Sequence, residues 1–150
     1  MSRDWASDVH EMHAKYGFHE TAAKLSPTQR DELLVFRKKF LDEEMRELGD
    51  AIAAGDPEET VDALVDLVVV AIGTLDIFDV DAHRAWDAVH EANMSKERGV
   101  KASRPNPHGF PDLVKPPGWV APSHVGNHGT VPSFKDENPS DAVDFGSDLE

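Results

Sequence analysis

The 150-residue chain has no cysteine, so neither disulfide bonds nor thiolate metal ligands are open to it. That fits a reducing compartment, and the expected location is the cytoplasm. Basic residues are scarce: 15 Lys and Arg stand against 29 Asp and Glu, a formal net charge of -14. Phosphate backbones would repel such a chain, which argues against a free nucleic-acid-binding protein. Long hydrophobic runs are also missing. No stretch approaches the ~20 apolar residues that span a membrane. The opening MSRDWASDVHEMH lacks the apolar core of a signal peptide. The expectation is one soluble domain.

What is present is helical periodicity. Trp5, Val9, Met12 and Tyr16 form one stripe of a first helix that should end near Gly17. Ser26-Pro27-Thr28-Gln29 reads as a helix start, with Ser26 as N-cap, Pro27 in the first turn and Gln29 completing a capping box. This helix should run to about Ala54 and stop at Gly55. Asp56-Pro57-Glu58-Glu59 repeats the signal at once, so the next helix must double back as an antiparallel neighbour. Asp81 is expected to cap a further helix carrying Ala82, Trp86, Val89 and Met94 and ending near Gly99. The fold class is therefore all-α, an antiparallel helical bundle. Its valine-rich helix looks apolar on two sides, so oligomerisation, as a dimer or a tetramer, should complete it. Residues 1–104 make the helical domain. Residues 105–122, with six prolines, read as an extended Pro-rich arm packed on the body. Residues 123–150 read as an acidic, flexible tail, of which 136–150 hold six acids and no base.

The stretch ETVDALVDLVVVAIGTL, residues 59–75, sets Asp62 and Asp66 at the edge of the most apolar passage of the chain. An unpaired buried carboxylate costs several kcal/mol, so something should compensate it. The preceding helix has Leu34, Leu41, Met45, Leu48 and Ile52 as its expected core stripe. A second row, Leu33, Phe36, Phe40, Glu44, Glu47 and Ala51, begins apolar and turns acidic, with Glu43 one turn before Glu47. In an antiparallel pair these acids should face Asp62 and Asp66. Five converging carboxylates repel one another unless protonated or metallated. Hard oxygen ligands suit Mg²⁺ or Mn²⁺, two or more ions per site, which would bind a polyphosphate and stabilise phosphoryl transfer. A di-iron bundle would need Glu-x-x-His motifs, and the sequence has none. His10, His13, His83 and His90 have no partner at i+4 among them, so surface or capping roles are expected for them.

These residues resemble a known family, the all-α nucleoside triphosphate pyrophosphohydrolases of the MazG-like and phosphoribosyl-ATP pyrophosphohydrolase-like group, in particular its short phage and bacterial members. Arg37-x-x-Phe40-Leu41-x-Glu43-Glu44-x-x-Glu47-Leu48 is similar to that family's R-x-x-L-I-x-E-E-x-x-E-L stretch. Asp62-Ala-Leu-Val-Asp66 followed by Gly73-Thr74 resembles its D-A-L-x-D…G-T helix. Val89-His90-x-x-Asn93-Met94-Ser95-Lys96 and Val114-Lys115-Pro116-Pro117-Gly118-Trp119 are similar to the elements that follow. The likeness covers roughly residues 5–122. One departure stands out: the wider superfamily carries E-x-x-D, and the position three before Asp66 is Ala63, with Asp62 the nearest substitute.

The resemblance implies hydrolysis of a (d)NTP to the (d)NMP and diphosphate, water attacking the α-phosphorus. It implies catalytic Glu43, Glu44 and Glu47; metal ligation by Glu43, Glu44, Glu47, Asp62 and Asp66; and phosphate contacts from Asn93 and Lys96. Trp5, His13 and Trp86 flank the site as candidate base contacts. A phage-type member would act on the nucleotide pool of the host cytoplasm, with a purine dNTP such as dGTP as one substrate. The rival reading is a non-catalytic acidic interaction protein, a DNA mimic. A mimic should spread its acids over an exposed face, whereas here the distinctive ones intrude on core rows.

Overall fold

The computed structural model describes residues 4–103 and 107–134. Among these residues five helices follow one another: α1 (Trp5–Lys15), α2 (Phe18–Ala23), α3 (Pro27–Ala54), α4 (Pro57–Ile77) and α5 (Ala82–Met94). A two-stranded antiparallel ribbon, β1 (Glu97–Gly99) and β2 (Asp112–Val114), pairs Glu97 with Val114 and Gly99 with Asp112. The described residues are all-α apart from that ribbon.

The helix starts form as their residues dictate. Ser26 Oγ accepts from the Gln29 backbone N–H at 3.2 Å, and the Gln29 side chain accepts from the Ser26 N–H at 2.9 Å, a closed capping box. Asp56 Oδ1 accepts from the N–H groups of Glu58 and Glu59, and Asp81 Oδ1 from that of Arg84. Helix α2 was not foreseen. It has six residues and buries none of them, too short a run to show a 3.6-residue period.

Helices α3 and α4 form the central antiparallel hairpin, and α1 lies along α4. Arg37 fixes the register of the hairpin. It is buried, its Nε donates to Thr74 Oγ1 and its Nη2 to the Val70 carbonyl, both at 2.9 Å. Gly73 makes room for it. A Cβ there would lie 3.0 Å from Arg37 Nη2 and 3.1 Å from His13 Cε1, two side chains that are both buried and held.

The buried row of α3 differs from the expected one. Arg37, Glu44 and Ala51 face inward, seven residues apart, whereas Met45 and Ile52 of the expected core stripe are 55% and 63% exposed. Periodicity shows that a helix has an apolar face but not which neighbour that face meets. On α4 the inward residues are Ala63, Val70, Gly73 and Ile77, and Val61, Leu64 and Val65 lie exposed on the other side. Within one chain, both long helices therefore present apolar side chains to solvent.

Beyond α5 the chain turns back. The Trp119 indole N–H donates to the Ala92 carbonyl at 2.9 Å, and buried Asp112 accepts from the Lys101 backbone N–H at 2.7 Å. Residues 123–134, expected as the start of a flexible tail, instead lie against the α4–α5 corner. The Asn127 side chain, buried, accepts from the Asp81 N–H and donates to the Asp81 carbonyl, and the Thr130 N–H donates to Phe78 O at 2.7 Å. Gly129 passes so close to the Phe78 and Asp79 backbone that any Cβ would collide with it. Polar residues here are buried by backbone hydrogen bonds, which hydropathy does not register. The acid-rich stretch 136–150 lies outside the described residues.

Candidate active site

The register set by Arg37 decides what faces what. Arg37 meets Val70 and Thr74 across the antiparallel pair. Seven residues further along α3 stands Glu44, opposite roughly residues 63–67, and Glu47 comes opposite roughly 60–64, because both helices rise equally per residue. Asp66 and Asp62 sit at those places.

The electrostatics agree. Glu44 is buried, and its Oε2 has no hydrogen-bond partner among the described residues. Its pKa is raised, first by burial and then by the charges of Glu47, Asp66, Glu43 and Asp62. All five acids singled out from the sequence thus converge closely enough to oppose ionisation of the innermost one. Asp66 is half-buried, and Glu43, Glu47 and Asp62 are exposed. A buried carboxylate oxygen without a donor, ringed by four further carboxylates, is a set that a hard divalent cation would satisfy, with Glu44, Glu47, Asp62 and Asp66 as the available ligands. No lysine or arginine forms an ion pair with any of the five among the described residues.

A consequence for stability follows. Because the folded-state pKa of Glu44 is raised, the stability linked to its neutral form is present at low pH and lost as pH rises through that pKa. Metal-free protein at neutral pH therefore carries a penalty that Glu44→Gln removes. The variant is expected to be more stable by on the order of 1 kcal/mol, or about 2–4 °C in Tm. The difference should shrink as pH falls toward the ordinary glutamate range, and melts in chelator at several pH values check it.

Asn93 and Lys96 come together at the end of α5, where Lys96 Nζ donates to Asn93 Oδ1 at 2.8 Å. Lys96 Nζ lies 5.4 Å from the Trp119 ring centre and Lys115 Nζ lies 4.7 Å from it. Two cations gathered on one indole are notable in so acidic a chain, and Lys115 was not singled out beforehand. Its signal was the Lys-Pro-Pro-Gly-Trp stretch, residues 115–119. No hydrogen bond or ion pair links Asn93 or Lys96 to the five acids among the described residues.

The aromatic candidates are dispersed. Trp5 on α1 and Trp86 on α5 are 65% and 71% exposed. His13 is buried, with one ring face stacked on Phe18 at 4.4 Å between centres and its Nδ1 2.7 Å from Asp76 Oδ2. A surface or capping role for His13 is thereby overturned, because Asp76, 63 residues away in sequence, is its partner. A cleft of about 560 Å³ lined by Phe18, Leu25, Leu33, Phe36 and Arg37 opens between α2 and α3.

The fold is all-α, a helical hairpin with opposed carboxylates on its two long helices. More particularly, the sequence model of the phosphoribosyl-ATP pyrophosphohydrolase family matches residues 17–93, and the chain belongs to that family, within the MazG-like nucleoside triphosphate pyrophosphohydrolase superfamily. The matched segment includes all five acids and Asn93 and stops short of Lys96 and the arm. No match was found among curated proteins. Membership makes the protein a pyrophosphohydrolase acting on nucleotides. Among the described residues, no helix is long and apolar enough to cross a membrane.

Proposed function

We propose that the protein hydrolyses a nucleoside or deoxynucleoside triphosphate to the monophosphate and diphosphate in a divalent-metal-dependent reaction on the cytoplasmic nucleotide pool. The observation that carries this reading is the buried Glu44 Oε2, without a hydrogen-bond partner among the described residues, with Glu43, Glu47, Asp62 and Asp66 around it. Glu44, Glu47, Asp62 and Asp66 would hold Mg²⁺ or Mn²⁺. When bound, these ions supply counter-charge for the phosphates and lower the pKa of a nearby water. Glu43 positions the attacking water. The water oxygen forms the new bond to the α-phosphorus as the bond to the bridging oxygen breaks; diphosphate leaves with the electron pair, and the proton lost by the water passes to a neighbouring carboxylate or to solvent. Asn93 and Lys96, already oriented by their mutual hydrogen bond, contact the phosphates, and Lys96 offsets charge on the leaving group.

Likeness to the short phage-type members favours a deoxyribonucleotide, with a purine such as dGTP tested first. Trp5 and Trp86 offer exposed rings for base contact, whereas His13, buried against Phe18 and bonded to Asp76, does not. Incubation with each common ribo- and deoxyribonucleoside triphosphate and with phosphoribosyl-ATP, under Mg²⁺ or Mn²⁺, tests the reading. Consumption of at least one triphosphate with diphosphate release supports it. Turnover of phosphoribosyl-ATP alone would replace the proposed substrate class, and no turnover of any compound would favour a binding protein.

The same reading includes a homo-oligomer. Met45 and Ile52 on α3 with Val61, Leu64 and Val65 on α4 are exposed in the single chain. An apolar surface of this kind on the two helices that bear the site is expected to be covered by a second copy. Light scattering at micromolar concentration should give a mass at least twice the 16.5 kDa of one chain. A value of one chain mass would refute it.

A further inference from the structure

Away from the five acids, three histidines from two helices close on one aspartate. Asp76, near the end of α4, accepts from His10 Nδ1 at 2.6 Å through Oδ1, and from His13 Nδ1 and His19 Nε2 at 2.7 Å through Oδ2. His10 and His13 belong to α1, and His19 to α2. Ligand atoms of His10, His19 and Asp76 all lie within 4.8 Å of one another. The rings of His10 and His19 sit 4.4 Å apart, tilted by 32°.

We infer that His10, His19 and Asp76 form a second metal site, for a transition-metal dication of the Zn²⁺ class, distinct from the Mg²⁺ or Mn²⁺ site of the proposed reaction. The donor set decides the class. Two imidazole nitrogens and one carboxylate oxygen suit Zn²⁺ and its neighbours, whereas Mg²⁺ takes oxygen ligands. Three protein ligands leave a position for water. The His10 side chain is 65% exposed, so the cation has an open path in.

His13 acts one step out. It is buried, wedged flat against Phe18, and its bond to Asp76 Oδ2 fixes the carboxylate, as partners of metal-ligating groups generally do. Ligands around an ion at about 2.0–2.1 Å stand roughly 3.3 Å apart in tetrahedral geometry. The present 2.6 and 2.7 Å separations must therefore open by about 0.6–0.7 Å, which exposed His10 and half-buried His19 can accommodate. Neutral imidazoles need only present a lone pair in place of the N–H, a change of tautomer.

The site has a structural consequence. Helix α2 buries no residue of its own, yet it supplies one ligand to a centre whose others lie on α1 and α4. Bound metal would tie these three elements together beside the α2–α3 cleft. Asp76 is ten residues beyond Asp66 on α4, about 15 Å along the axis, so no single ion serves both places.

The test is calorimetric titration of the full-length, chelator-treated protein with Zn²⁺ in excess Mg²⁺, which keeps the carboxylate cluster occupied. One Zn²⁺ per chain is expected, with a rise in Tm. His10→Ala and His19→Ala should each weaken binding by about tenfold or more and remove most of the rise in Tm. His10 is exposed, so its variant retains the fold should His19→Ala not. The inference is overturned if wild type binds no Zn²⁺ in excess Mg²⁺. It is equally overturned if His10→Ala binds Zn²⁺ as wild type does, or if Glu47→Gln alone abolishes the binding. None of these results depends on whether nucleotide is hydrolysed.

Discussion

Asp66→Asn and Glu47→Gln are each expected to slow diphosphate release by about 10²–10⁴-fold, since an amide oxygen cannot replace an anionic ligand worth several kcal/mol to the transition state. The fold should survive. Each change removes a charge that already opposes ionisation of Glu44, so the metal-free variants should melt at or slightly above the wild type. Mn²⁺ should raise the Tm of the wild type and do so much less for either variant. A purely structural Asp66 predicts the reverse, lower melting on mutation with no dependence on metal. Melts of wild type and Asp66→Asn with and without Mn²⁺, beside rates on the same samples, separate the two. Normal turnover by Asp66→Asn would remove Asp66 from the site.

Arg37→Ala is expected to produce the largest loss of stability away from the acids. The side chain is buried and donates two hydrogen bonds to α4, and its pKa is lowered by burial. Bonds from a charged donor contribute about 1.5–3 kcal/mol each. A loss of about 3 kcal/mol is expected, or roughly 6–12 °C in Tm for a chain of this length. Arg37→Lys keeps the charge but not the planar fork, so it should restore only part of that loss. Chemical denaturation of the three proteins checks the order. If Arg37→Ala unfolds at the wild-type midpoint, Arg37 does not hold the hairpin together.

Much of this architecture is written locally. Ser26, Asp56 and Asp81 announce helix starts through capping chemistry that acts over three residues, and each forms as those residues imply. The acid cluster was legible for a related reason. Two long helices with almost no connector must lie side by side, so Glu44 and Asp66 could be set against each other from counting alone. Which row of α3 turns inward was not legible. Leu41-Met45-Leu48 and Phe40-Glu44-Glu47 are both plausible faces, and the choice is made by Arg37 reaching Thr74 and Val70 on another helix. Longer-range features left still less trace. Asp76 lies 57 to 66 residues from the histidines it gathers, and the β1–β2 ribbon pairs strands of three residues across an intervening loop. Such pairings depend on the folded path of the chain, and no local pattern encodes them.

The proposed reaction cleaves a nucleotide between its α- and β-phosphates, and the position of the incoming oxygen reports on that most directly. Turnover of the best triphosphate substrate in ¹⁸O-labelled water, with products resolved by mass spectrometry or ³¹P NMR, should place one label in the nucleoside monophosphate and none in the diphosphate. Label in diphosphate, or release of orthophosphate in place of diphosphate, would contradict attack at the α-phosphorus and with it the proposed reaction at this site.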